Sequence, residues 1–450
     1  MKEYDFIVHE KAKRIRDVLR YIRRFKDALI VLYIDDAIID SPYFSGHIRD
    51  ICMTHEAGLR IIVVPGSKKR IDEVLTDAGL EWKTEDDIRV TGEEAMPLIK
   101  MAAFDVANRV MTSLAGEKHK AVIGNWVKSR GYGIVRGINY STAGEIDYID
   151  TDAIKSILDN GFIPIFPCIG WSSTGKPYNI SSVQLASDLA CKLSADKLFF
   201  LTAEKNITVE DFNIPLDIGL SPEGCVPAMN LEELDMFLKA NALQNDEKGK
   251  KKTIRLLKLA KEACKKGVSR VHLLSGFLDG TLPCEIFSDL GSGTMIYENN
   301  YGGIREMKFE DIPAVLTLIR PFVEEGILLP RSEQILAESY LDYIVYELDG
   351  GIRACSALHQ YEDEKGRQAE IAAIAVEKAC AHIGIGPKML SYWIEKARAL
   401  GYKSLFVLTT QTADWFEKQG FVQDDISTIP EKRRLKWNPE RGSKVYRLKL

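Results

Sequence analysis

Between Asp27 and about Ile296 the chain alternates short apolar runs, ALIVLYI, LRIIVVPG, FIPIFPCIG, KLFFLT and VSRVHLL, with stretches of helical periodicity such as VQLASDLACKLSA. This rhythm predicts an α/β sandwich built on a largely parallel sheet. Ahead of it, Phe6, Ile7, Ile15, Val18, Leu19 and Ile22 recur at helical spacing among many Lys and Arg residues, so residues 5–26 are expected to form a separate docking helix. The polar stretch ANALQNDEKGKKKTIR is expected to hold a mobile loop in its middle, inside the first domain. A fresh pattern begins at IREMKFEDIPAVLTLIRPF, just past the Asn/Gly cluster NNYGG at residues 299–303. The expected domains are therefore 1–298 and 304–450, the second reading as α+β: a strand, two helices, then DYIVYEL, GIRACSALHQYE and AEIAAIAV as mostly antiparallel strands. After them come a loop, a helix, LFVLTT, a further helix and a final strand.

Composition narrows the function. The 450 residues carry a net charge of −5 with interspersed signs, which supplies no basic field for a nucleic-acid backbone. No apolar run reaches the roughly 20 residues needed to span a bilayer, and the N-terminal stretch lacks the apolar core of a secretory signal, so no membrane association and a cytoplasmic location are expected. The eight cysteines stand singly, without CxxC spacing or clustered histidines. They read as buried thiols, with no metal site and no disulfide framework.

The stretch HIGIGPKML, residues 382–390, carries the first candidate chemistry. Met389, Leu390, Trp393, Ile394, Ala397 and Leu400 share one helical face, Pro387 suits a first turn, and Gly401 can end the helix. A strand running into a glycine-bearing loop and then a helix N-terminus offers unpaired N–H groups and partial positive charge, which suit a pyrophosphate. A plain connecting turn would read the same way. No third glycine follows at the dinucleotide spacing and no GK[ST] follows for an ATP loop.

The surroundings of the loop resemble the GNAT acyltransferases, in which a Q/R-x-x-G-x-G/A loop holds the pyrophosphate of acetyl-coenzyme A. Here the pattern stands as Ala381-His382-Ile383-Gly384-Ile385-Gly386, with both glycines present and the leading Gln/Arg absent. GILLPRS, AEIAAIAV, LFVLTTQTADWFEKQGF and NPERGSKV resemble, in order and spacing, the acetyltransferase half of the bacterial N-acetylglutamate synthase family. The resemblance implies acetyl-CoA as cosubstrate, bound by His382, Ile383, Gly384, Ile385 and Gly386 with the strand backbone of Ile374 and Val376, and L-glutamate as acceptor. It also implies Glu370 as a general base acting through water, and Thr409 as a hydroxyl for the departing sulfur. An α-ammonium must lose a proton before it attacks a thioester, which is why a base is needed. Glu370 heads an apolar strand beside the loop, where partial desolvation would tune it, although a solvated strand-start glutamate looks the same in sequence. Arg331 and Arg441 match the family's glutamate-binding arginines, with the Leu329 main chain beside them; a carboxylate entering a pocket asks for such charge-assisted partners.

The first domain resembles the amino-acid kinase family through FIPIFPCIG, GKPYNIS, ADKLFFLT and CEIFSDLGSGTMI. Its phosphate-handling positions are altered: the K-x-G-G loop reads Tyr33-Ile34-Asp35-Asp36, the HGGG loop reads Val64-Pro65-Gly66-Ser67, two aspartates become Val183 and Ala203, and the second lysine becomes Leu256. Phosphoryl transfer needs cations against developing negative charge, so kinase activity is not expected. Asp35 and Asp36 could serve a cation site, an interdomain salt bridge or a solvated surface. His272, Glu285, Gly291 and Gly293 match the arginine-binding pattern of arginine-sensitive relatives, which implies L-arginine as an allosteric effector. In those relatives the N-terminal helix links subunits into hexamers, which implies a homo-oligomer. Three functions remain open on sequence: an acetyl-CoA:L-glutamate N-acetyltransferase at the first step of arginine biosynthesis, the same chemistry on another amino acid or amine, and a non-catalytic amino-acid sensor.

Overall fold

The structure, a computed structural model, describes residues 11–12, 15–16, 18–85, 88–216, 218–221, 223–242, 248–287, 291–298, 302–348, 351–363, 366–380 and 384–450. The chain divides into two compact units, Met1–Glu298 and Asn299–Leu450.

The first unit is organised by an eight-stranded sheet. Its strands are β1 (Leu29–Ile34), β2 (Arg60–Pro65), β3 (Ala121–Ile123), β4 (Ile163–Ile165), β5 (Lys197–Thr202), β6 (Ala228–Asn230), β7 (Arg270–Ser275) and β8 (Thr294–Tyr297). They lie in the order β6-β8-β7-β5-β1-β2-β4-β3, every pairing parallel except β7 with β8. The middles of the central strands are apolar, LIVLYI in β1 and LFFL in β5, because both faces are covered. Val31, Tyr33, Leu198 and Phe200 point to one core with Leu185, Leu189, Leu256 and Leu257 from helices Ser182–Lys192 and Lys248–Lys265. Ile30, Leu32, Phe199 and Leu201 point to the other, with Ile48 and Val110 from helices Phe44–Glu56 and Met96–Gly116.

Two expectations change here. The polar stretch after Ala240 turns helical from Lys248 onward, since Ile254, Leu256, Leu257 and Ala260 supply a buried face that its lysines conceal in a composition reading; residues 243–247 of the expected loop lie outside the described residues. The N-terminal helix is not wholly separate, because Tyr21 and Phe25 are buried on their own unit and the Lys197 ammonium lies 3.9 Å from the centre of the Phe25 ring. Ile15, Val18 and Leu19 remain exposed, while Phe6 and Ile7 lie outside the described residues.

The second unit is a seven-stranded sheet: β9 (Gly302–Glu306), β10 (Tyr343–Leu348), β11 (Gly351–Asp363), β12 (Gly366–Val376), β13 (Ser404–Thr409), β14 (Val422–Asp424) and β15 (Lys444–Lys449). They follow the order β9-β10-β11-β12-β13-β15-β14, antiparallel except for β12 with β13. Helix α1 (Ile385–Ala399) buries Met389, Leu390, Trp393 and Ala397 on one face of the sheet, and helix Ile312–Glu324 buries Val315 and Ile319 on the other. Leu400, expected on the buried face of α1, is exposed at its C-cap, and Gly401 ends the helix in the left-handed region.

None of the eight cysteines is in a disulfide, but Cys284 is exposed and Cys191 and Cys225 are half-buried, against the expectation of burial throughout. Among the described residues no cluster of three or more His, Cys, Asp or Glu side chains could hold a metal, and no helix is long and apolar enough to cross a membrane.

Candidate active site

The site of the second unit begins with a parting of strands. Among the described residues β12 and β13 pair only at Ala369 with Leu405 and Glu370 with Phe406, so the two strands separate beyond that point. A bulge sits just after the parting. Ala357 pairs with Ala372 and Cys355 with Ala375, leaving Ala373 and Ile374 opposite the single residue Ser356, and Ala373 takes a left-handed φ of 54°. The extra residue reverses the pleat: Ala369 and Ile371 face the α1 side, Ala373 and Ala375 face the opposite core, and Ile374 and Val376 turn back toward α1. Backbone groups on the β13 side of this segment therefore border an open gap.

Helix α1 starts at the far end of that gap. Its N-cap is Gly384 with φ 73°, a conformation costly to any residue with a Cβ, and among the described residues no side chain caps the helix. The first intrahelical bond joins the Lys388 amide to the Gly384 carbonyl at 3.3 Å, which leaves the Ile385 and Gly386 amides as first-turn donors. These are the groups an anion would use. Ala381, His382 and Ile383 of the same loop lie outside the described residues.

Glu370 is 3% exposed and fully engaged on one oxygen. Its Oε2 accepts from the Tyr361 hydroxyl at 3.0 Å and from Arg433 Nε at 2.7 Å. Burial pushes the Tyr361 phenol well above its ordinary value, and the Glu370 charge adds to that. Burial works against the Arg433 charge, but the Glu370 carboxylate overrides it and holds the guanidinium above its usual value. The solvated strand-start alternative is thereby removed. Sequence reading missed Arg433 and Tyr361: the first stands in the basic run EKRR of the short helix Glu431–Arg434, where nothing local distinguishes one arginine from the next.

Arg331 and Arg441 meet on one loop. Arg441, in the turn Pro439–Arg441, donates from Nη2 to the Ile327 carbonyl at 2.7 Å, and Arg331 donates from Nη1 to the Leu329 carbonyl at 3.1 Å. Burial, then the guanidiniums of Arg331 and Arg433, pull Arg441 below its usual value, so Arg441 feels both of the other cations. Glu370 is the carboxylate paired with one of them, and mutual repulsion of this kind is relieved by an anionic ligand. Leu329 itself is exposed. Thr409 is brought to the end of β13, where its Oγ1 lies 2.7 Å from Thr412 Oγ1 and accepts the Thr412 amide at 3.0 Å.

The first unit holds a second constellation. His272 Nδ1 lies 2.6 Å from Glu285 Oε1, and Glu285 Oε2 accepts the amides of Ser292 at 2.5 Å and Gly293 at 3.1 Å. Burial lowers His272, which keeps it a neutral Nδ1–H donor; burial also acts on Glu285, but the His272 bond and the two amides outweigh it and hold the carboxyl below its ordinary value. His272 Nε2 is buried and has no hydrogen-bond partner among the described residues. A Cβ on Gly291 would fall 2.2 Å from Glu285 Oε2, and one on Gly293 2.2 Å from the Leu273 carbonyl oxygen, so the loop closes this tightly only as glycine.

The old phosphate positions carry no cation. Tyr33 and Leu256 are both packed in the core. Asp35 is 3% exposed, caps the turn Asp36–Ile39 through the Ala37 amide, and pairs with Lys252, whose Nζ also lies 3.5 Å from Glu204. The first carboxylate of the altered loop is thus an ion-paired helix cap within its own unit, which replaces the solvated-surface and interdomain alternatives.

Residues 34–275 match the amino acid kinase family, and residues 339–423 match the acetyltransferase (GNAT) domain. The second unit is accordingly an acetyl-CoA-dependent acyltransferase. An amino-acid acetyltransferase of Pseudomonas syringae pv. tomato is 31% identical over 441 residues, covering 96% of this chain and 98% of that protein. The amino-acid acetyltransferase of Pasteurella multocida is 33% identical over 430 residues, covering 94% of each. N-acetylglutamate synthase from Neisseria gonorrhoeae complexed with coenzyme A and L-arginine has the same fold, with a TM-score of 0.78 at 29% identity over 98% of this chain and 99% of that one. Its complex with coenzyme A and N-acetyl-glutamate gives 0.59 at 30% identity and the same coverage. The chain belongs to the bacterial amino-acid acetyltransferase family that includes N-acetylglutamate synthase.

Proposed function

We propose that the enzyme acetylates the α-amine of L-glutamate, at the first step of arginine biosynthesis, and that L-arginine bound to the first unit modulates it. The observation that carries the acceptor assignment is the meeting of Arg331, Arg433 and Arg441 beside Glu370. Two carboxylates entering such a pocket exchange water for charge-assisted partners, and Arg331 and Arg441 are placed to receive them with the Leu329 main chain alongside. The amides of Ile385 and Gly386 and the Gly384 turn, continued by His382 and Ile383, take the pyrophosphate of acetyl-CoA. Backbone N–H groups at Ile374 and Val376 hold the thioester carbonyl across the gap. Glu370 Oε1, which accepts no hydrogen bond among the described residues, takes the amine proton through water. Regulation rests on His272, Glu285, Gly291 and Gly293: the guanidinium of L-arginine would engage Glu285, and the glycine loop its α-carboxylate. The exposed Ile15, Val18 and Leu19 support association with further copies of this chain.

A thiol-release assay with acetyl-CoA against a panel of amino acids and amines tests the reading. Preference for glutamate is the expected result. Preference for another acceptor would reassign the arginines, and silence with every acceptor would leave a sensor in place of an enzyme.

A further inference from the structure

His359 stands directly across the sheet from Glu370. The two are register partners on the antiparallel strands β11 and β12, and their neighbours Leu358, Ile371 and Ala369 face α1, so both side chains project from the opposite face. Directly opposed side chains of this kind have Cβ atoms about 4.5–5.5 Å apart. His359 Nδ1 lies 3.3 Å from Asp342 Oδ2, in the turn Tyr340–Asp342. An ionised carboxylate can only accept, so Nδ1 carries the hydrogen and Nε2 of the neutral ring is left as a base. Among the described residues Nε2 makes no hydrogen bond. The ring meets Tyr343 edge-on at 6.2 Å between centres, and burial pushes the Tyr343 phenol up while the Arg331 guanidinium pulls it down. His359 thus borders both the proposed base and a residue that feels Arg331, and its side chain is 27% exposed where Glu370 is buried.

We propose that His359, its tautomer fixed by Asp342, carries protons from Glu370 out to solvent. The inference rests on the reading of Glu370 as the base for the acceptor amine. An α-ammonium gives up two protons on its way to an amide, one before the nitrogen can attack and one after it has bonded to the acyl carbon. The carbon–sulfur bond breaks with its electron pair left on sulfur, and coenzyme A takes up one proton from water, so each turnover releases one proton net. Glu370 has a single open oxygen, and a proton resting there would leave the buried Arg433 charge against a neutral carboxyl. The first proton must therefore move on before the second arrives. It passes to His359 Nε2 and from there to solvent, which restores both the carboxylate and the neutral ring. The groups that govern this exchange are Asp342 and Tyr343 on one side of the ring, and Glu370 with its partners Tyr361 and Arg433 on the other. His359 acts through Glu370 and is a positioning residue for the proton.

His359→Ala removes the ring and leaves room for a small base. The expected outcome is a kcat lower by about 10- to 100-fold, at and below the low end of what a placed proton-transfer group contributes, with KM for acetyl-CoA and for the acceptor within about threefold. Added imidazole should raise the kcat of this variant by about fivefold or more, whereas pyrazole, equal in size and a far weaker base, should not; this separates proton transfer from the filling of space. His359→Gln fills the position without a titrating ring and should lose kcat at unchanged KM, which supplies the comparison if the alanine variant does not fold. A kcat within about twofold of the parent in either folded variant, a change confined to KM, no rescue by imidazole, or equal rescue by pyrazole would each overturn the assignment. Should the parent enzyme release no thiol, or Glu370→Gln keep the parent's kcat, the underlying reading fails instead, so the two failures are distinct.

Discussion

Arg433 Nε donates to Glu370 Oε2 at 2.7 Å across 63 positions of sequence, which places an arginine and the proposed base in one buried ion pair. The pair fixes the carboxylate with one oxygen committed and the other open. Glu370→Gln should lower kcat by roughly 10²–10⁴-fold while sparing KM for acetyl-CoA. Arg433→Ala leaves a buried carboxylate without its cation and should cost on the order of 3 kcal/mol, read by denaturant unfolding; Arg433→Lys should recover part of it. An Arg433→Ala protein as stable as the parent would show the pair to be incidental.

Arg441 is tied to the loop that carries Arg331 through its bond to the Ile327 carbonyl. Arg441→Ala should raise KM for glutamate by about 10-fold or more, as expected for a lost charge-assisted contact, and leave KM for acetyl-CoA alone. An unchanged glutamate KM removes Arg441 from the acceptor site.

Gly384 caps α1 at φ 73°. Replacement by Ala should cost about 1–2 kcal/mol of backbone strain and distort the amides that meet the pyrophosphate, raising KM for acetyl-CoA with little effect on KM for the acceptor. Equal changes in both constants would argue for general unfolding of the loop.

Asp36 is pushed up to about 6, first by burial and then by its hydrogen bond with Asp35. A carboxyl raised in this way is disfavoured in its ionised form by the fold, so its titration removes stability as pH rises through about 6 and removes none below the ordinary value of 3.8. Asp36→Asn should therefore stabilise the protein by about 1–3 kcal/mol at pH 7.5 and hardly at all at pH 4, read from melting curves at the two pH values. An equal gain at both would mean that the carboxyl is not the cause.

Arginine binding is tested on the full chain by calorimetry. Heat is expected with the parent protein and none with Glu285→Gln, in which the charge that pairs with guanidinium is gone. Absence of heat from the parent at millimolar arginine counts against the effector site.

What could be read in the chain follows from the range of each signal. Strands such as LIVLYI and KLFFLT declare themselves because a strand covered on both faces reads as a near-continuous apolar run, and the Gly384 loop declares itself because a left-handed turn before a helix leaves few choices. The lysine-rich start of helix Lys248–Lys265 misleads a composition reading, since its buried stripe matters only once the sheet is present to cover it.

The sequence by itself determined two units and their α/β and α+β character, because periodicity is a local property of the chain. Tertiary structure alone decided that Arg433 and Tyr361 hold Glu370, that Lys252 neutralises Asp35, and that Thr409 accepts the Thr412 amide within its turn. Each of these is a pairing across the register of a sheet or the approach of a distant helix, and charge or hydroxyl chemistry carries no label of its partner until the backbone has brought the two together.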